Sequence, residues 1–155
     1  MAARRTVFVD SNVLICAFDE IDLGRQQRAR QWLTECWLRR CGRLSTQVLN
    51  EFYAAARKRF ATAISAGDAR AEVRRYQTWQ PWQIDQPTVE TAWAAESRYH
   101  LDYYDALMVA AAQHMGCELL LTEDLPHGQR IDKLQVVNPF LVAPDILDQP
   151  YADAA

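Results

Sequence analysis

YHLDYYDALMVAAAQHMGCELLLTEDLPHGQ, residues 99–129, holds a helix followed by a strand, and that order decides the fold. Asp102 is a good N-cap. Behind it Ala106, Leu107, Val109, Ala110, Ala111 and Ala112 predict a nearly apolar helix over 103–115 that stops at Gly116. A helix that is apolar on every side is a buried one. Residues 118–121, Glu-Leu-Leu-Leu, then read as a strand that breaks at Thr122, Glu123 and Asp124.

The same alternation continues in both directions. Thr6 to Val9 is a short β-branched and aromatic run, and Asp10, Ser11 and Asn12 turn it into a helix. Residues 25–40 predict a helix with Trp32, Leu33, Cys36 and Trp37 on one face, ended by Gly42. Thr46 is an N-cap candidate for a helix over 47–60, with Val48, Phe52, Ala55 and Ala56 on its apolar face. A polar, peripheral helix is expected over 67–79. Pro81 and Pro87 bracket a short strand at Trp82 and Ile84, and a helix over 88–99 follows. Gln135 to Val137 supply one more strand.

Short apolar strands separated by helices predict a parallel sheet covered on both faces. The expected class is α/β, a three-layer α/β/α domain with a central, mainly parallel sheet. At 155 residues there is material for one such core, so residues 1–150 are expected to form one domain and residues 151–155 a frayed tail. No internal repeat is present.

Composition excludes several classes. Half of the residues are hydrophobic and 24% are charged, with only five glycines and six prolines, which rules out collagen-like and disordered chains. No apolar run reaches membrane-spanning length. Arg4 and Arg5 before an apolar stretch imitate a signal peptide, but Asp10 and Asn12 interrupt it, and a cytoplasmic chain is expected. Cys16, Cys36, Cys41 and Cys117 form no CxxC pair, and His100, His114 and His127 lack zinc-site spacing, so the cysteines are expected to be buried free thiols.

The net charge of −3 is unevenly spread. Between Arg25 and Arg75 stand 12 Lys and Arg against 4 Asp and Glu, whereas the remainder carries 5 against 16. Such a basic block is either a surface for an anionic partner or a set of solvated helix faces; charge alone favours neither.

Asp10 and Asp124 both follow strands, and in open α/β sheets ligands gather beyond the carboxyl ends of strands. Glu51 and Asp105 can join them from the early turns of two helices. Each acid also has an ordinary reading. Asp10 can cap a helix, Asp124 can sit in a turn, and Asp102 with Asp105 resembles a capping box, the reading favoured for Asp102. Glu51 has no cation at ion-pair spacing in its helix, and Asp105 opens an alanine-rich buried helix. Lys58 and Lys133 are the only lysines, so a divalent cation is the better partner for these charges. Carboxylates without His or Cys suit Mg²⁺ or Mn²⁺ and phosphate chemistry.

These residues resemble the PIN-domain ribonucleases, and within them the VapC-like toxins of bacterial type II toxin–antitoxin pairs. The resemblance is carried by VFVDSNVLICAFD at 7–19, LSTQVLNEFYAAARKRF at 44–60, the stretch at 99–129 and VVNPF at 136–140. It implies a Mg²⁺- or Mn²⁺-dependent endoribonuclease that hydrolyses RNA phosphodiester bonds and leaves a 5′-phosphate. Position by position, the family's acids fall on Asp10, Glu51, Asp105 and Asp124, with Asn12 and Thr122 as supporting polar residues. Asp10 and Asp105 are then first choices as metal ligands. Glu51 would orient or deprotonate the nucleophilic water, and Asp124 would complete a second metal position. The resemblance also implies a homodimer, an RNA substrate and a cognate antitoxin whose segment, often an arginine, reaches the acids.

Arginines of the 25–75 block, among them Arg57, Lys58 and Arg59, are candidates to guide RNA or antitoxin. Trp79 or Tyr53 is a candidate to stack on bases, although core or dimer packing is the favoured role for the tryptophans as a set. Other readings are an aspartyl phosphotransferase or receiver domain, another metal-dependent phosphohydrolase, and a non-catalytic RNA- or protein-binding module. Asp10-Ser11-Asn12 lacks the DxD pair of the first of these.

Overall fold

Val7–Val9 (β1) and Leu119–Leu121 (β3) are short runs of large apolar residues buried at every position, the signature of central strands covered on both faces. The computed structural model describes residues 5–60 and 64–149. After β1 come helices α1 (Ser11–Cys16) and α2 (Leu23–Leu38), strand β2 (Gly42–Arg43), helix α3 (Thr46–Arg59), helix α4 (Ala66–Arg75) and a 3₁₀ turn at Tyr76–Trp79. Helices α5 (Gln86–Tyr99) and α6 (Tyr103–His114) lead into β3. Strands β4 (Arg130–Ile131) and β5 (Leu134–Val137) and a 3₁₀ turn at Pro144–Asp148 complete the order.

Among the described residues the strands form one five-stranded sheet in the order β2-β1-β3-β5-β4, parallel except for the β4–β5 hairpin. With helices on both faces it is the expected three-layer α/β/α domain with a mainly parallel sheet. Val9 is in register with Leu121, and Leu121 with Val137, so β1, β3 and β5 end level with one another. Helix α6 is the buried helix expected from its composition: Ala106 through Ala112 are all buried. It pairs with α5, while α1 packs on α2 and α3.

Several local expectations are corrected. Gly42 does not end the second helix; α2 stops at Leu38, and Arg40 makes the turn with φ 54°. Gly42 lies in β2, where a Cβ would stand 2.3 Å from the Trp79 ring, so it is there for close packing. The cap of α3 is Ser45, whose Oγ accepts from the Val48 N–H at 3.3 Å, one residue before the expected Thr46. The segment 67–79 is not one peripheral helix. Its last turn is 3₁₀ and buries Tyr76 and Trp79 against Trp37. The strand expected at Trp82 and Ile84 is reduced to one bridge between Ser45 and Trp82.

All four cysteines are free and buried, as expected. No described helix is long and apolar enough to cross a membrane. The expected tail at 151–155 lies outside the described residues.

Candidate active site

Level strand ends bring Asp10 and Thr122 side by side. The Asp10 N–H donates to the Leu121 carbonyl at 3.1 Å, continuing the β1–β3 ladder one step past its last pair. Asp10 then caps α1. Its Oδ1 accepts the Ser11 N–H at 2.6 Å, and its Oδ2 accepts the Thr122 hydroxyl at 2.8 Å. The ordinary reading of Asp10 as a cap is therefore correct, and it is compatible with a second role: a capping carboxylate that is only 5% exposed is a costly way to start a six-residue helix.

Ser11 joins Asp10 to α3. Its hydroxyl reaches Glu51 Oε2, 40 residues on, at 2.8 Å and Asp10 Oδ1 at 3.3 Å, so one hydroxyl serves two carboxylates from distant elements. The other Glu51 oxygen, Oε1, accepts from Gln47 Nε2 at 2.9 Å, and the same amide group reaches the Tyr104 carbonyl at 3.2 Å. Gln47 thus ties the Glu51 side chain to the first turn of α6, where Asp105 stands.

Electrostatics places the remaining acids. Burial, more than anything else, pushes Asp10 up from 3.8 to about 7; the Thr122 hydroxyl opposes this, and the negative charges of Asp124 and Glu51 add to it. Asp105 is pushed up to about 6, again chiefly by burial, then by Asp124, Asp102 and Glu51. Asp124 is exposed, with its backbone N–H bonded to Thr122 Oγ1 at 3.1 Å. The charges of Glu51 and Asp124 therefore act on both Asp10 and Asp105. Among the described residues no salt bridge reaches any of the four.

Asn12 is the other polar residue expected here. Among the described residues both polar atoms of its side chain are shielded from solvent and have no hydrogen-bond partner, an arrangement that asks for a water or ligand. Asp102 does cap α6, accepting the Tyr104 N–H at 3.0 Å, while its charge contributes to the field at Asp105. Arg57, Lys58 and Arg59 are exposed in the last turn of α3, where they also suit the helix dipole. Trp79 is buried among Trp37 and Tyr76, so it is no stacking platform. Tyr53 is half-buried, and its hydroxyl accepts from Arg70 Nε at 3.1 Å.

In the sequence Ser11 reads as a cap and Gln47 as an ordinary helix residue. The signals were present: a hydroxyl directly after a strand-end acid, and an amide four residues before a helical Glu. A cavity of about 820 Å³ lies between α2 and the Pro144–Asp148 turn and has none of the four acids in its lining.

The acids can hold a hard cation by donor chemistry and by charge. Among the described residues no three His, Cys, Asp or Glu side chains already form a metal cage. Mg²⁺ does not need one, because it commonly keeps several waters and takes only one or two carboxylates together with substrate phosphate oxygens.

The PIN domain family model matches residues 7–129. No curated protein matches the sequence. Similar solved structures include a chain of a toxin–antitoxin complex from Klebsiella pneumoniae, 22% identical with a TM-score of 0.61, covering 86% of this chain and 98% of that one. The Mycobacterium tuberculosis toxin VapC20, which cleaves the sarcin–ricin loop, is 16% identical with a TM-score of 0.57, over 77% of this chain and 90% of that one. A chain of VapBC2 from Rickettsia felis, bound to a DNA fragment from its promoter, is 10% identical with a TM-score of 0.55, over 84% and 96%. At these identities the likeness is one of fold.

Proposed function

The chain belongs to the PIN domain family, and from that premise we propose that it is a Mg²⁺- or Mn²⁺-dependent endoribonuclease, the toxin of a toxin–antitoxin pair. One observation carries the reading. A buried carboxylate held near 7, Asp10, shares the Ser11 hydroxyl with Glu51 and the Thr122 hydroxyl with the Asp124 segment, and the charges of Glu51 and Asp124 also act on Asp105, held near 6. Burial of carboxylates close to like charges, with no ion pair to them among the described residues, is a cost that a folded protein keeps for function.

Asp10 and Asp105 are the residues proposed to hold the cation, and Asp124 to complete a second position when substrate phosphate is present. Bound there, a divalent ion supplies positive charge to the non-bridging phosphate oxygens and makes water more acidic. Glu51 accepts the proton of the attacking water, and its orientation is set by Ser11 and Gln47 on its two oxygens. Thr122 orients Asp10 and fixes the backbone of Asp124 with one hydroxyl. Asn12 offers its unpartnered amide to a water or a phosphate oxygen.

RNA is the proposed substrate and the cytoplasm the proposed compartment. The exposed Arg57, Lys58 and Arg59 draw the polyanion toward a centre that is itself negative. A cognate antitoxin and a homodimer are the proposed protein partners. Support comes from the structural neighbours, which are toxin or toxin–antitoxin chains, one of them a cleaver of the sarcin–ricin loop.

Incubation of the purified chain with total RNA tests the reading. Cleavage to fragments with 5′-phosphate ends is expected with Mg²⁺ or Mn²⁺, lost in EDTA and restored by the ion. Fragments that form at the same rate in EDTA would refute the metal-dependent mechanism, and RNA bound but left intact would assign a binding module.

A further inference from the structure

Glu123 stands between Thr122 and Asp124 and faces an arginine. Arg25 Nη2 donates to Glu123 Oε1 at 2.6 Å, an ion pair between residues 98 positions apart. Arg25 belongs to the first turn of α2, and its backbone N–H is capped by Asp22 Oδ1 at 3.1 Å. Its guanidinium carbon lies 3.8 Å from the centroid of the Phe140 ring, just beyond β5, and Nη2 is 3.6 Å from Cys16 Sγ at the end of α1. One planar cation therefore gathers the end of α1, the start of α2, the segment after β3 and the segment after β5.

We propose that Arg25 and Glu123 are positioning residues: their ion pair, seated on Phe140, holds the Thr122–Asp124 segment so that the Asp124 carboxylate stays beside Asp10 and Asp105. The proposal rests on the nuclease reading of the four acids. Asp124 is exposed, and among the described residues its side chain makes no hydrogen bond or ion pair, so its place depends on the backbone that carries it. That backbone is held by the Thr122 hydroxyl, which accepts its N–H, and the residue before it, Glu123, is paired with Arg25. Arginine suits the task where lysine does not, because a planar fork stacks on a ring and donates in its own plane at the same time. A half-exposed ion pair adds little to global stability, so its effect should be read at the site and not in the melting of the chain.

The experiment compares Arg25→Ala, Glu123→Gln, the double variant and Arg25→Lys in the full chain. Amide hydrogen exchange of metal-free protein over residues 122–125 should quicken in both single variants while the unfolding midpoint barely moves. With RNA and Mg²⁺, each single variant should lose about 10- to 100-fold in kcat with little change in KM. The double variant should be no worse than the weaker single, because the two residues act as one unit. Arg25→Lys should recover only part of the loss. The salt dependence of RNA binding should match the parent, whereas loss of a direct phosphate contact would lower its slope by about 0.7.

Parental exchange and kcat in both single variants would overturn the proposal. So would a lowered salt slope for Arg25→Ala with a normal kcat for Glu123→Gln, which would make Arg25 an RNA contact. Asp10→Asn in the same assay separates the two claims. If it cuts like the parent, the assignment of the four acids as the nuclease centre falls; if it is inert while both clamp variants keep parental exchange and kcat, the clamp alone falls.

Discussion

Thr122 Oγ1 lies 2.8 Å from Asp10 Oδ2 and donates its proton across 112 residues of sequence, while accepting the Asp124 N–H at 3.1 Å. A single hydroxyl thereby sets the distance between two strand ends and lowers the cost of ionising a buried acid. Thr122→Val keeps the shape and removes that donor. It should push Asp10 further up and cost about 1–3 kcal/mol of stability at pH 8. Near pH 5 the loss should be smaller, because Asp10 is then protonated. Urea unfolding at the two pH values measures the difference; equal losses would mean that the hydroxyl supports packing and not charge.

Asp10 makes the folded chain less stable as the pH rises. Its folded value of about 7 exceeds the ordinary 3.8, so across that interval the folded state keeps a proton that the unfolded state has released. Stability from this group is therefore fully present below about pH 4, falls as pH climbs toward 7, and stays low above. Asp10→Asn should stabilise the chain by about 1–3 kcal/mol at pH 8 and by almost nothing at pH 4, after allowance for the acceptor that asparagine gives up. Thermal melts at both pH values would show it, and a destabilised variant at pH 8 would contradict the strain argument.

Protons and cations should compete for the same carboxylates. With Asp10 near 7 and Asp105 near 6, both must lose their protons before a cation binds well, so RNA cleavage should rise with pH through this range. Raising Mg²⁺ should move the midpoint of the profile to lower pH. Rate profiles at two ion concentrations test this, and a midpoint that does not respond to the ion would separate the titrating acids from cation binding.

Gly42→Ala tests the packing on the edge strand β2. A Cβ at this position would stand 2.3 Å from the Trp79 ring, which is itself wedged against Trp37 and Tyr76. The substitution should cost about 1–3 kcal/mol through displaced aromatics. An unchanged denaturation midpoint would show that the ring cluster yields freely.

Much of the architecture was legible because it is periodic or local. The buried α6 announces itself by alanines and leucines on all its faces, and β1 and β3 by three consecutive large apolar residues each. What stayed hidden depends on distant partners. Strands β2 and β4 are two residues long, too short to leave a pattern, and exist because a neighbouring strand pairs with them. Gly42 looked like a helix stop because only the fold brings Trp79 over it. At the site, Asp10, Glu51, Asp105 and Asp124 stand out in the sequence by their positions after strands and in early helix turns, and in the folded chain the charges of Glu51 and Asp124 act on Asp10 and on Asp105. The groups around them, Ser11 and Gln47 bonded to Glu51 and Arg25 paired with Glu123, look like ordinary surface or cap residues until the chain is folded.

The most direct measurement is the Mg²⁺-dependent cleavage of RNA by Asp10→Asn and Asp105→Asn, each confirmed as folded by circular dichroism. The account predicts a loss of at least about 100-fold in both. Either variant cutting RNA as fast as the parent would contradict it.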